Sequence, residues 1–257
     1  MPANHEPIDT VALALARAWR GGPPADDHAL QGRVTSLAQA YAVQERLLAQ
    51  LGVPPEGPMH WKSGGPSRSE PMRHAPLPPA GVRACGAGLE GLHLRHRWIE
   101  AEVALRIGRD VGAEEARSLT VQQAGALVDR MCVSIELVDS RWQSGRDAPA
   151  LLKVADLLVH GALVLGEFVP YAPGNWAAQE CRVRLGDAPP RVFTGSLGVG
   201  DPAWVLPDWM RHVTRDGAPV RQGTVVSTGT WCGLLEAQPG ERVLVEFPGI
   251  GAASVQC

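Results

Sequence analysis

Glu100 and Glu102 stand two residues apart in WIEAEVALRI (98–107), a stretch in which apolar residues recur at every second position. In an extended chain residues i and i+2 share a face, so the two carboxylates would lie side by side, ~7 Å apart. The opposite face carries Ile99, Ala101, Val103, Leu105 and Ile107 and belongs in a core, while Ala104 leaves room beside the glutamates. A Glu-x-Glu of this kind standing alone is ordinarily a solvated sheet face. Glu136 changes that reading. It interrupts MCVSIELVD (131–139), a nearly continuous apolar run of the sort found in buried strands. A buried carboxylate needs a partner or a cation. Three glutamates from two strands would offer the oxygen ligands that Mg2+ or Mn2+ prefers, with positions left for water and substrate. Asp139 and Arg141 follow directly. They can pair with each other, or Arg141 can grip a substrate carboxylate through both arms of its guanidinium. Only two of the 24 basic residues are lysines, Lys62 and Lys153. A lysine kept in an arginine-rich chain can serve where a compact donor or a movable pKa is needed.

These residues need elements to hold them. Residues 8–20 show helical apolar spacing with Asp9 as N-cap, ended by Gly21-Gly22-Pro23-Pro24. Ser36-Leu-Ala-Gln39 is a capping box opening a second helix to about Leu51, closed by Pro54, Pro55, Gly57 and Pro58. Residues 57–91 are rich in Pro, Gly and Ser and predict a long irregular stretch around Lys62, of the kind that is functional or disordered. Strands are expected at 98–107 and 131–139, then at 161–169, 180–185, 223–228 and 242–247. Between the first two, 110–118 reads as a polar connection, and Thr120-Val-Gln-Gln123 caps a helix running to about Arg130. Asp201-Pro202 could open a helix through Arg211, with Pro207 against it. The expected class is α+β: residues 1–75 as a helical N-terminal region with the active-site loop, and 76–257 as a β-rich metal-binding domain.

Composition narrows the partners. At 257 residues and 45% hydrophobic, the chain can bury a sizeable core. A net charge of -3 gives no basic face for nucleic acid. No apolar run reaches the ~18 residues of a membrane span, and the N-terminus lacks the basic region of a signal peptide. Five widely spaced cysteines without a CxxC argue against a disulfide framework or structural zinc and fit a reducing cytoplasm. Three motifs are decoys. Gly86 to Gly91 matches GxGxxG, but alternating residues follow it rather than a helix, so a loop is expected. Ser196 lacks the first glycine of a nucleophile elbow. His93 and His96 would point to opposite faces of a strand.

The segments IEAEVALRIGRDV, SIELVDSRW, KVADLLVHGALVLGE and GTVVSTGTWCGLLEAQPGERVLVEFPGIGAASVQ occur in this order. Together they resemble the 2-oxopent-4-enoate hydratase and 4-oxalocrotonate decarboxylase family, within the fumarylacetoacetate hydrolase superfamily, over most of the chain from Lys62 onward. The resemblance implies Glu100, Glu102 and Glu136 as ligands of Mg2+ or Mn2+. It places Lys62 in the family's Lys-x-Gly-x-Thr/Ser loop, and it adds Asp156 and Arg141 as catalytic candidates. The implied activity is a metal-dependent hydratase or decarboxylase acting on a small 2-oxo or 2-hydroxy-dienoate acid of aromatic catabolism. C–C hydrolysis of an acylpyruvate and a non-catalytic subunit of a sibling enzyme are the alternatives. Family members are commonly oligomeric, which implies a homo-oligomer or a complex with such a sibling. Departures are equally visible. Pro66 stands where the loop Thr or Ser would be. No Asp-aromatic-Gly segment follows it. Leu157 and Val159 replace the Asn and Ser of the family's Ala-Asp-Asn-x-Ser.

Overall fold

A computed structural model describes residues 6–54 and 58–257. The N-terminal layer holds α1 (Glu6–Trp19), α2 (Asp27–Leu30) and α3 (Leu37–Gln50). There follow β1 (His60–Gly64), β2 (Arg73–Pro76), β3 (Val82–Ala84), β4 (Trp98–Ile107), α4 (Ala113–Ser118), α5 (Val121–Gly125) and β5 (Val128–Val138). The rest comprises α6 (Ala150–Ala155), β6 (His160–Leu165), β7 (Val169–Pro170), β8 (Glu180–Leu185), β9 (Arg191–Thr194), α7 (Leu206–Val213), β10 (Val225–Ser227), β11 (Leu235–Glu236), β12 (Arg242–Phe247) and β13 (Gly251–Gln256). The class is α+β.

Nine strands form one mixed sheet, ordered β2-β1-β10-β4-β5-β6-β3, with β11 added to β4 and β7 to β5. A second sheet, β13-β12-β8-β9, packs against it. Alternation along β4 fixes its place. Ile99, Ala101, Val103, Leu105 and Ile107 are fully buried against β5, β8, β12 and β13. A one-residue slip would turn these five outward and drive two carboxylates inward. Each fully buried aliphatic side chain contributes about 1.5–3 kcal/mol, so the register is strongly set. The antiparallel β4–β5 ladder then places Glu100 directly opposite Glu136, and Glu102 opposite Ser134.

A second core lies under the helices. Val11 and Leu15 of α1 and Val43 and Leu47 of α3 pack on Trp142, Leu152 and Leu157. Gln44 of α3 is buried and donates to the carbonyls of Val154 (2.7 Å) and His74 (3.1 Å), tying the helices to the sheet edge.

Several local expectations are corrected. Asp9 lies inside α1, which already begins at Glu6, and it pairs with Arg46 at 3.3 Å. Ser36 caps α3, but the Gln39 side chain accepts from the Thr35 amide instead of returning to Ser36. Pro55 and Gly57, two of the expected closing residues, fall outside the described residues. The stretch 57–91 is not irregular, since β1, β2 and β3 lie in it, and the division at 75/76 falls within β2. Short strands there are sustained by long-range pairing: β1 runs parallel to β10 and antiparallel to β2. Residues 113–118 form a helix. The helix capped by Thr120 stops at Gly125, and β5 starts at Val128. Pro207 sits in the first turn of α7, where its missing N–H has no partner to lose. Gly86 to Gly91 lies in the connection from β3 to β4, with no helix after it. Among the described residues no helix is long and apolar enough to cross a membrane.

Candidate metal centre and substrate cavity

β4 and β5 bring three carboxylates to one face. Glu100, Glu102 and Glu136 each offer an oxygen, and these oxygens lie within 4.8 Å of one another. The surrounding elements treat the buried pair unevenly. Oε2 of Glu102 accepts from the Ser227 hydroxyl (2.5 Å) and the Gly229 amide (2.9 Å), both presented by the end of β10. Oε1 of Glu136 accepts from Nζ of Lys62 at 2.5 Å and faces Nδ1 of His160 at 3.3 Å. Oε2 of Glu136 is buried and has no hydrogen-bond partner among the described residues.

Burial raises the Glu100 pKa to about 8, with Glu136 and Glu102 adding to the shift and Lys62 opposing it. Glu102 is raised by burial and by Glu136. Glu136 is held low despite burial, because Lys62 and then His160 favour its charged form. Burial works to lower the Lys62 pKa, but Glu136, Glu100 and Glu102 together raise it, so the side chain remains an ammonium. The cluster is therefore short of positive charge. A hard divalent cation fits it on two counts: an all-oxygen donor set and a buried oxygen awaiting a partner.

Lys62 belongs to β1 and not to a loop. Besides Glu136 it donates to the carbonyl of Leu158 at 3.1 Å. A cavity of about 520 Å3 opens over Glu100 and Glu102, lined also by Lys62, Arg73, Arg146 and Lys153. Both lysines of the chain thus border one cavity. Arg73, Arg146 and Lys153 are in no ion pair among the described residues and leave its mouth cationic.

Arg141 and Asp156 are brought together, but away from this cavity. Arg141 Nε donates to Asp156 Oδ1 at 2.7 Å, and its other nitrogens reach the carbonyls of His160 (2.5 Å) and Asp156 (3.1 Å). Asp139 is a looser partner at 3.7 Å. The guanidinium lies 4.1 Å from the Trp19 ring centre and borders a separate cavity of about 460 Å3. Burial raises the Asp156 pKa to about 6 against the pull of Arg141.

Other candidates have structural partners. The Ser196 hydroxyl donates to the Trp231 carbonyl. His96 stacks on Trp98, ring centres 4.0 Å apart. The His74 ring pairs with the Ser63 hydroxyl at 2.9 Å, and burial pushes its pKa down to about 3. Sequence reasoning gave no role to Ser227, Gly229 or His160. Ser227 and Gly229 lie in the GTVVSTG segment and His160 in the KVADLLVHGALVLGE segment quoted above, but none of the three carries a local signal that assigns it a role.

Comparison with known proteins places this geometry. Residues 82–256 match the family model described as fumarylacetoacetate (FAA) hydrolase C-terminal. The chain is 30% identical over 158 residues to 2-keto-4-pentenoate hydratase 2 of Dechloromonas aromatica (strain RCB), covering 61% of this chain and 58% of that protein. It is 27% identical over 161 residues to 2-keto-4-pentenoate hydratase of Paraburkholderia xenovorans (strain LB400), again spanning 58% of the relative's length. In fold it is similar to 4-oxalocrotonate decarboxylase from Pseudomonas putida G7, solved with calcium and acetate, with a TM-score of 0.84, 17% identity and coverage of 100% and 99% of the two chains. Fumarylpyruvate hydrolase from Pseudomonas aeruginosa, solved with Mn2+ and pyruvate, aligns with a TM-score of 0.55 and 19% identity over 77% of this chain and 88% of that one. With a family model matched over residues 82–256 and the fold shared along the whole chain, this protein belongs to the fumarylacetoacetate hydrolase C-terminal family.

Proposed function

We propose that this protein is a divalent-metal-dependent lyase acting on a small 2-oxo or 2-hydroxy-dienoate acid, by hydration or by the related decarboxylation. One observation carries the reading: three carboxylates converge, with an ammonium on one of them, and two of the three line a cavity whose mouth is cationic. The hydratase relatives supply the substrate class, and the metal complexes of the structural neighbours support Mg2+ or Mn2+. A cation bound by Glu100, Glu102 and Glu136 would supply Lewis acidity toward the carboxylate and 2-oxo oxygens of the substrate.

The chain's own residues do the rest. Arg73, Arg146 and Lys153 attract an anionic acid to the mouth. Lys62, kept protonated by its neighbours, offers a fixed positive charge to oxygen-centred negative charge that develops on the substrate. Its raised pKa favours that role over proton donation. Hydrolysis of an acylpyruvate is less well served. A His–Glu pair exists in His160 and Glu136, but His160 is fully buried behind the cluster and not in position to activate water in the cavity. We place the enzyme in the cytoplasm, as a homo-oligomer or bound to a sibling enzyme. Light scattering of the purified protein tests its assembly.

The activity is tested by incubating the protein with Mg2+ or Mn2+ and a panel of 2-oxo-enoates, following dienoate absorbance and CO2 release. Turnover of at least one acid is expected, and the product identifies the reaction. Lys62→Arg keeps the charge but not the compact donor, so it should retain metal and lose most turnover. Activity within twofold of wild type would remove Lys62 from the site. A protein that binds no divalent metal and turns over no acid would favour the subunit reading instead.

A further inference from the structure

We infer that His160 is a positioning residue for the metal centre: it locks the Glu136 carboxylate so that Oε2, and not Oε1, is offered as ligand. The inference rests on the metal-dependent reading above. It starts from an imbalance on one carboxylate. Both of its donors, the Lys62 ammonium and His160 Nδ1, address Oε1, while Oε2 is buried without a partner. An unsatisfied buried acceptor costs about 1–3 kcal/mol. Donors placed merely to satisfy a buried carboxylate would be shared between its oxygens. Two donors on one oxygen fix the plane of the group and leave the other oxygen as a dedicated ligand.

The ring is suited to this task in ways the ammonium is not. Lys62 carries three rotatable donors on a flexible stem, whereas an imidazole donates along one direction in its own plane. The carboxylate oxygen beside Nδ1 requires an N–H at that position. Nε2, by contrast, is buried with no partner among the described residues. It lies beneath Gly81, where a Cβ would come within 3.0 Å of it. The glycine leaves the ring its place.

The backbone around His160 is equally constrained. Its carbonyl accepts from Arg141 at 2.5 Å, and it enters β6 opposite Val138 of β5. Just before it, Leu157, Leu158 and Val159 all adopt left-handed conformations, with φ of +49°, +54° and +54°. Each costs roughly 1–2 kcal/mol for a non-glycine residue. Strain of this kind persists where surrounding structure enforces it, often at sites. This turn directs the Leu158 carbonyl to Lys62 and delivers the His160 ring to Glu136. Both groups that address Oε1 are therefore set by one short segment. Outer partners of metal ligands typically account for about 10–100-fold in affinity.

Two substitutions separate positioning from bulk. His160→Phe keeps a ring and removes the donor, while His160→Asn places an amide N–H near the Nδ1 position. Titration with Mn2+ by calorimetry should show His160→Phe weakened about 10–100-fold and His160→Asn close to wild type. Denaturant midpoints of the metal-free proteins serve as the fold control. A folded His160→Phe that binds Mn2+ within twofold of wild type overturns the inference, as does His160→Asn binding as poorly as His160→Phe. A second measurement needs no variant. In 15N-labelled metal-free wild type at neutral pH, His160 should show a protonated Nδ1 and an unprotonated Nε2, and the opposite tautomer would sink the proposal. Should wild type bind no Mn2+ while the tautomer is as expected, the metal reading fails and the hydrogen bond to Glu136 stands.

Discussion

Two buried charge clusters meet along one stretch of chain: β5 carries Glu136 of the first, and Arg141 of the second lies just past its end. In the first, Glu100, Glu102 and Glu136 face a single ammonium, and an oxygen of Glu136 is left without a partner. In the second, Asp156 has both carboxylate oxygens engaged: Oδ1 by Arg141 Nε and Trp19 Nε1, and Oδ2 by the Arg141 amide. Arg141 completes the set by donating to two backbone carbonyls. Both clusters are costly to bury, but the second matches Asp156 with Arg141 and leaves only Oδ2 of the neighbouring Asp139 without a hydrogen bond among the described residues, 3.7 Å from the guanidinium. The first is built with a deficit that an external cation can fill. A polar residue held deep in a core is therefore not by itself a sign of function. What distinguishes the site is three carboxylates converging against one ammonium.

The comparison breaks most easily at Arg141. Arg141→Met should leave Asp156 buried and uncompensated, with a loss of about 3–5 kcal/mol, read as a shift of the urea midpoint at constant slope. A loss below 1 kcal/mol would mean that the second cluster is not structural. The carboxylate cluster should respond instead to metal. At about 100 times its dissociation constant, Mn2+ adds about 2.7 kcal/mol to stability, and Glu136→Gln should abolish most of that gain.

The pH dependence sharpens the contrast. Glu100 is raised from 4.5 to about 8, so the metal-free fold prefers it protonated. Its stabilising contribution is full below about pH 4.5 and is lost as pH rises toward 8. Metal must displace that proton, so Mn2+ affinity should climb about tenfold per pH unit up to about 8 and then level off. A flat profile from pH 6 to 8 would remove Glu100 from the ligand set. The smallest effect concerns the left-handed turn. Val159 is β-branched, at φ +54°, and outside the hydrophobic cores. Val159→Asn should relieve strain and raise stability by about 1 kcal/mol, seen as a modest rise in melting temperature.

The sequence made some of this legible for clear reasons. The period-two alternation of β4 placed Glu100 and Glu102 on one face, and the apolar context of Glu136 marked it as buried. The N-cap at Ser36 and the capping box at Thr120 located two helix starts, because their signals lie within four residues. What stayed hidden depends on distant partners. Lys62 looked like a loop residue because its strand is five residues long, flanked by Pro and Gly, and held by residues 225–227. Arg141 stood next to Asp139 in sequence, yet its closest carboxylate is 15 residues away. The turn at 157–159 carries no Gly or Asn to announce a positive φ. The α4 helix begins after Gly112, which offers no side-chain cap.

Both lysines border the carboxylate cavity, and that gives the chain a built-in reporter. Reductive methylation with 13C-formaldehyde would tag just two side-chain amines, one at the floor and one toward the mouth. The floor amine, 12% exposed and hydrogen-bonded to Glu136, should be modified slowly, while the outer one reacts first. Each resonance then reads one end of the same space, so entry of a ligand at the rim and its arrival at the base can be followed separately, without any substitution in the chain.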